Sequence, residues 1–303
     1  MILIIKSLLN DPFRIFRGLG YRVLDCFAKF LSDKVYLKTK WFIRTGHPLD
    51  LDNPKTFNEK LQWLKLYDRK PIYTTMVDKY RAKDFVASII GNEHIIPTFA
   101  IYKDVDEINL DVLPRQFVLK CTHDSGGVFI CKDKECFNRK DTFLNLKIGL
   151  KRNFYLYNRE WPYKDVPPRI IAEKYMINDN TDEVLNDYKF FCFNGAVKFF
   201  KIDFDRFSDH HANYYSPNGE LLPFGEAKFS PVPSKNVTIP STLKEMISYA
   251  EMLSKGIPFL RVDFYDINGK VYFGELTFFP DSGYGKWTDE RYDKIIGNYI
   301  SLH

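Results

Sequence analysis

Near the end of the chain, three side chains could share one task in handling charge. Arg261, Asp263 and Tyr265 alternate along one run, and Val271, Phe273, Glu275 and Thr277 along the next. Period-two alternation on either side of Asn268-Gly269 reads as two strands of a hairpin. A two-residue loop at Asn268-Gly269 pairs Asp263 with Gly274 and turns Glu275 to the opposite face. A three-residue loop, Ile267-Asn268-Gly269, pairs Asp266 with Lys270, sets Asp263 opposite Phe273 and sets Glu275 opposite Arg261. The three-residue loop is the expectation, because it gathers both carboxylates and Arg261 on one face. Two carboxylates there repel unless a cation sits between them. Arg261 could supply it structurally. A magnesium ion could supply it functionally, since it takes one or two carboxylates and completes its shell with phosphate oxygens and water.

A second group is Lys120-Cys121-Thr122-His123-Asp124-Ser125-Gly126-Gly127. A lysine ends an apolar strand, and a loop of small residues follows. Backbone N–H groups of such a loop can approach phosphate oxygens while the lysine adds a point charge. The plainer reading is a hairpin turn with an edge lysine. A third group, Ile170-Ile171-Ala172-Glu173-Lys174-Tyr175-Met176, could present a backbone edge to a planar base, or simply end a strand with surface charge.

The elements that must position these groups read as α+β. Thr56-Phe57-Asn58-Glu59 is a capping box before Leu61 and Leu64. A helical run extends from Tyr73 to Gly91, and residues 138–153 form another. Asn194-Gly195 joins two strands, Tyr188 to Phe193 and Ala196 to Ile202. Residues 203–240 look irregular. Thr242 opens a helix that Gly256 closes.

Composition narrows the classes. The 303 residues carry a net charge of +5 and are 45% hydrophobic, an ordinary globular balance. Residues 1–44 hold nine Lys/Arg against three Asp, so the basic excess is local. A nucleic-acid binder would spread it along a groove, and none is expected. That first segment reads foremost as a helical lobe packed on the body. Its second reading is a basic amphipathic helix making peripheral contact with an anionic membrane. Its apolar runs are far shorter than the ~20 residues of a span. Five cysteines without CxxC pairing, and no secretory pattern, suggest reduced thiols and a cytoplasmic setting.

Order and spacing resemble the ATP-grasp superfamily. Asn53 to Trp63, Asn186 to Gly195 and Phe273-Gly274-Glu275-Leu276-Thr277 are similar to its TupA-like branch, named for teichuronopeptide synthesis. The resemblance implies two α+β lobes clamping ATP, residues 76–175 and 176–303. A mainly helical region, residues 1–75, stands in place of the usual Rossmann-like domain. It also implies that Lys79 and Lys120 contact phosphates and that Ser125, Gly126 and Gly127 form a flap over them. Glu173, Lys174 and Met176 lie beside adenine, and Asp187 holds ribose. Asp263 and Glu275 hold magnesium, with Thr277 where these ligases commonly carry Asn. Arg261 steadies a tetrahedral intermediate.

The implied reaction joins a carboxylate to an amine through an acylphosphate. The expected partners are an amino acid and a polysaccharide or lipid-linked sugar carrying a uronic acid, as in bacterial capsules. Candidate acceptor contacts are Arg206, His210, His211 and the aromatic run Asn153 to Tyr163, which also reads as plain polar surface. Two rivals stand beside this. Asp203-Phe204-Asp205 could be the metal-binding DxD of a glycosyltransferase. The chain could also be a non-catalytic glycan-binding scaffold.

Overall fold

The computed structural model describes residues 14–178, 185–205, 209–235 and 237–302. Two helices, α1 (Arg14–Cys26) and α2 (Asp33–Thr45), come first. Then follow α3 (Phe57–Tyr67), α4 (Ile72–Val77) and α5 (Arg81–Ile90). Thr56 and Glu59 form the expected capping box at α3: Thr56 Oγ1 accepts from the Glu59 N–H at 3.2 Å, and Glu59 Oε2 accepts from the Thr56 N–H at 2.9 Å.

The run expected as one helix from Tyr73 to Gly91 is two. Asp78 interrupts it: this fully buried residue takes the Tyr80 N–H on its side chain at 3.0 Å, and its carboxylate pairs with Arg169. Side-chain bonding to the local backbone competes with helix here, and the apolar spacing gave no warning of it. After the break, Lys79 bonds the carbonyls of Thr122 and Asp124.

A four-stranded antiparallel sheet has the order β1-β4-β2-β3, with β1 (Thr98–Tyr102), β2 (Phe117–Cys121), β3 (Val128–Cys131) and β4 (Ile170–Lys174). Phe117, Leu119, Ile170 and Leu146 make its core, the last from α6 (Arg139–Leu150). A short helix, α7 (Phe154–Asn158), follows. The second sheet, also antiparallel, has five strands. Its order is β7-β6-β5-β8-β9, from β5 (Asp187–Phe193), β6 (Ala196–Phe204), β7 (His211–Tyr215), β8 (Phe259–Ile267) and β9 (Lys270–Thr277). Strand β7 lies inside the stretch expected to be irregular. Helix α8 (Leu243–Ser254) covers one face of this sheet, and α9 (Arg291–Gly297) ends the fold. Its core is dense in aromatics, with Phe190, Phe191, Phe193, Phe199, Phe200, Phe259 and Phe264 all at or below 2% exposure. Helices α3 to α5 join this core through Phe57, Leu61, Met76 and Val86. Among the described residues, no helix is long and apolar enough to cross a membrane.

The β8–β9 hairpin corrects the expected loop. Ile267 pairs with Lys270, so the turn is the two-residue Asn268-Gly269, with φ of +54° and +75°. Asp263 nevertheless faces Glu275, because Phe264 pairs with Phe273 and Gly274 is left over as a bulge. The bulge also divides the residues expected on one face. Val271 and Phe273 enter the core, while Glu275 and Thr277 join the face of Arg261 and Asp263. A Cβ on Gly274 would lie 3.0 Å from the Asp263 carbonyl oxygen, so glycine permits the close approach.

Candidate active site

Arg261 is the hub of the five-stranded sheet's open face. Its Nε donates to Asp263 Oδ1 at 2.7 Å. Its Nη2 donates to Asp263 Oδ2 at 2.7 Å, to Glu275 Oε1 at 2.9 Å and to Thr277 Oγ1 at 3.1 Å. The register that builds this is Arg261 opposite Thr277 and Asp263 opposite Glu275. Burial, opposed by Arg261 and Lys189, raises the Asp263 carboxyl to about 6. Burial would raise Glu275 too, but Arg261 and then Lys79 hold that half-exposed carboxylate below its ordinary range.

Three further charges, Lys189, Lys201 and Glu226, which the sequence motifs did not single out, continue this row across the sheet. Lys189 sits opposite both Asp263 and Lys201. Its Nζ bonds Asp187 Oδ2 at 2.8 Å and also Asp203 Oδ2. Lys201 reaches Glu226 at 2.8 Å and Asp203 at 3.5 Å. All of these are buried. Burial would raise Asp203, but Lys201 and Lys189 outweigh it and hold that carboxylate low. A signal was present: Lys and Asp recur two apart in β5 and β6, among aromatics, which means one charged and one apolar face. Asp187, expected at ribose, has its carboxylate on Lys189.

The DxD reading does not gather its two acids. Asp203 is buried against Lys189 and Lys201, while the half-exposed Asp205 pairs with Lys235 at 2.8 Å. His210 stacks on Phe229 and lies 3.4 Å from Asp203. The His211 ring meets the Ser230 carbonyl at 2.7 Å. Arg206 lies outside the described residues.

A second charged group joins Lys120 of β2 to Lys83 of α5 and to Lys79, which lies between α4 and α5. Lys120 Nζ lies 2.5 Å from Glu173 Oε2, and Lys83 Nζ lies 2.5 Å from Glu173 Oε1. Burial would raise Glu173, but these two cations hold it low. Lys79 donates to the Asp124 carbonyl and lies 3.6 Å from its carboxylate, and its own N–H donates to the Thr122 carbonyl at 3.1 Å. Burial lowers the Lys79 ammonium, against the pull of Asp124 and Glu275. Ser125, Gly126 and Gly127 are exposed on the β2–β3 loop, and both glycines have positive φ, at +93° and +62°. Lys174 is exposed and Met176 half-buried at the end of β4.

A cavity of about 600 Å³ opens beside Arg261, Glu275 and Thr277. Ser125 of the loop lines it, as do Phe154, Asn158, Glu160 and Tyr163. Tyr21, Asp25, Lys40 and Arg44 of α1 and α2 supply another wall, and Asp281, Ser282 and Tyr284 a third. The aromatic run expected at the acceptor thus reaches the cavity; His210 and His211 do not line it. Glu160 lies within that run, though its acid was not singled out. It is 5% exposed, and burial raises its carboxyl against Lys65. Lys65 is itself fully buried and pushed down to about 7 by that burial; it donates to Gln62, Asn158 and Ser282 at 2.8–3.1 Å.

Among the described residues, no three or more His, Cys, Asp or Glu side chains gather as a metal site. The donor set on offer is two carboxylates and a hydroxyl on one face. That suits a hard cation sharing its shell with phosphate and water, not an all-protein cage.

The Arg261, Glu275 and Thr277 face thus opens on a cavity that the β2–β3 loop reaches through Ser125, with Lys79 beside Glu275, a layout suited to a polyanion with its cation. The chain belongs to the TupA-like ATP-grasp family, whose model matches residues 59–301. No curated protein matches the sequence. Several solved structures are similar. D-alanine–D-alanine ligase from Bacillus anthracis, complexed with ATP, is 16% identical over 67% of this chain and 55% of that one, with a TM-score of 0.39. The Helicobacter pylori D-alanine–D-alanine ligase is 15% identical over 82% and 70%, TM-score 0.40. Phosphoribosylamine–glycine ligase from Thermotoga maritima is 14% identical over 71% and 52%, TM-score 0.40. The chain therefore spans little more than half the length of two of these three proteins.

Proposed function

We propose that the chain is an ATP-dependent ligase that activates a carboxylate as an acylphosphate and joins it to an amine. The carrying observation is Arg261 bonded at once to Asp263, Glu275 and Thr277, on the face that meets Lys79 and Lys120. Asp263 and Glu275, with Thr277 beside them, would hold magnesium, which when bound offsets the phosphate charge. Lys79 and Lys120 neutralise the transferring phosphoryl group, and the N–H groups of Ser125, Gly126 and Gly127 close over it. Glu173, Lys174 and Met176 border adenine, and Asp187 borders ribose.

A carboxylate oxygen attacks the γ-phosphorus as the bond to ADP breaks. The amine nitrogen then attacks the acyl carbon, loses a proton, and phosphate leaves. Arg261 stabilises the oxyanion between those events. The cavity beside it, with Lys40 and Arg44 on one wall and Glu160 on another, suits an acid and an amine held together. The substrates we assign are a uronic acid of a capsule or other surface polysaccharide and an amino acid or peptide.

The test is release of ADP and phosphate from ATP and magnesium with panels of uronic acids and amino acids. Release that requires one member of each panel, and that Asp263→Asn abolishes, is the expected result. Turnover of a sugar nucleotide without ATP, or wild-type rates in Asp263→Asn, would overturn the reading.

A further inference from the structure

The helices that wall the cavity with Tyr21, Asp25, Lys40 and Arg44 turn their other faces to solvent. On α1 and the turn after it, Leu19, Val23, Phe27 and Phe30 follow at spacings of four, four and three. The helical bonding continues through them, with the Phe27 N–H donating to Val23 and the Phe30 N–H to Phe27. They form one stripe, 60%, 51%, 57% and 84% exposed. Val35 and Phe42 of α2 are also half or more exposed.

The exposed charges that α1, α2 and the turn between them carry are of one sign. Arg22 and Lys29 of the same stretch and Lys34 and Lys38 of α2 are exposed. The two acids of this stretch are turned inward: Asp25 accepts from Tyr36, and Asp33 holds Arg69, Arg159 and Tyr155. Between residues 18 and 46 every exposed charged side chain is therefore a cation. Leu24, Ala28 and Tyr36 pack the inner side, so the outer apolar residues are not needed by that core. Apolar residues among cations, with the anions withdrawn, match an anionic bilayer, where both features are satisfied together. A protein partner of ordinary mixed charge would not need the anions withdrawn.

We propose that the outer face of α1 and α2 docks on an anionic membrane surface, with the stripe at the headgroup boundary and the lysines and Arg22 on lipid phosphates. The cavity on the inner face of the same helices would then take a substrate held at that membrane, a clause that rests on the ligase reading.

Co-sedimentation with vesicles tests it. The full chain should bind phosphatidylcholine vesicles containing one third phosphatidylglycerol, and not phosphatidylcholine alone. Phe27→Asp with Phe30→Asp should remove binding. Lys29→Glu with Lys34→Glu should weaken it about twenty-five-fold or more, from about fivefold per cation. Unchanged melting and nucleotide affinity would show both variants folded. No binding by the unaltered chain, equal binding to both lipids, or a dimer in sedimentation velocity that the Phe pair abolishes would each overturn the docking. Docking without ATP turnover would instead sink the ligase reading alone.

Discussion

Replacing Arg261 by Met keeps most of the apolar bulk and removes the charge. The residue gives two bonds to Asp263 at 2.7 Å and one each to Glu275 and Thr277 at 2.9 and 3.1 Å. Asp263 is 4% exposed, with its carboxyl raised to about 6, chiefly by burial. An unfolded Asp titrates near 3.9, so the folded carboxyl holds its proton more tightly. Ionisation therefore costs the fold nothing below about 3.9 and about 3 kcal/mol above pH 6, at about 1.4 kcal/mol per unit. Without Arg261 the folded value rises further. Below pH 6 the buried carboxyl is protonated in both proteins, and they differ by the lost hydrogen bonds, about 1–3 kcal/mol. Above pH 6 the wild type stops losing stability while Arg261→Met continues. The gap then widens by about 1.4 kcal/mol per unit, or nearly 3 kcal/mol by pH 8. Glu275 adds little to this, because solvent screens its half-exposed side chain. Urea unfolding of both proteins at pH 5.5 and pH 8, with EDTA present, reads the gap. An equal gap at both values refutes the reasoning.

Lys120→Met leaves Glu173, 3% exposed, to its ion pair with Lys83 and should cost about 1–3 kcal/mol. ATP affinity should fall about tenfold or more in the same variant by calorimetry, given the loss of a charge-assisted phosphate contact; unaltered affinity would remove Lys120 from the phosphate site. Gly274→Val forces a side chain to within 3.0 Å of the Asp263 carbonyl and 3.2 Å of the Tyr265 ring, so about 1–3 kcal/mol of stability should be lost. ATP turnover should fall with it by about a hundredfold, as expected for a misplaced constellation. Wild-type turnover would mean that the bulge does not align Asp263 with Glu275.

What was legible in the sequence were features with local causes. The Thr56 capping box and the Asn194-Gly195 turn depend on neighbouring residues, and both formed as read. The hairpin at Asn268-Gly269 was half legible. Its turn was visible, but the loop length was chosen to bring the carboxylates together, whereas the bulge does that work. Gly274 inside a strand was the available clue. Asp78 was harder, because a buried capping acid is invisible until Arg169 arrives from 91 positions away. The lateral row Lys201, Lys189, Asp263 and Glu275 needs four strands in register, which no single segment encodes. The cavity is less local still, since α1, α2, the 154–163 segment and the β2–β3 loop meet only in the tertiary fold.

One electrostatic rule links these pieces. The charges proposed to face phosphate and metal already have partners of opposite sign: Lys120 with Glu173, Lys79 with Asp124, and Arg261 with Asp263 and Glu275. Buried ions left unpaired would cost several kcal/mol each. A nucleotide therefore enters by joining these pairs rather than by meeting bare lysines. Its phosphates bring negative charge to the lysine side, and a divalent cation brings positive charge to the carboxylate side. The two additions balance only together, since phosphate alone would crowd Glu173 and Asp124, and cation alone would crowd Arg261. It follows that nucleotide and magnesium should each bind more tightly in the presence of the other, by the same factor. Titrating ATP at fixed magnesium and magnesium at fixed ATP measures both factors. Independent binding would show that the paired charges do not form one site.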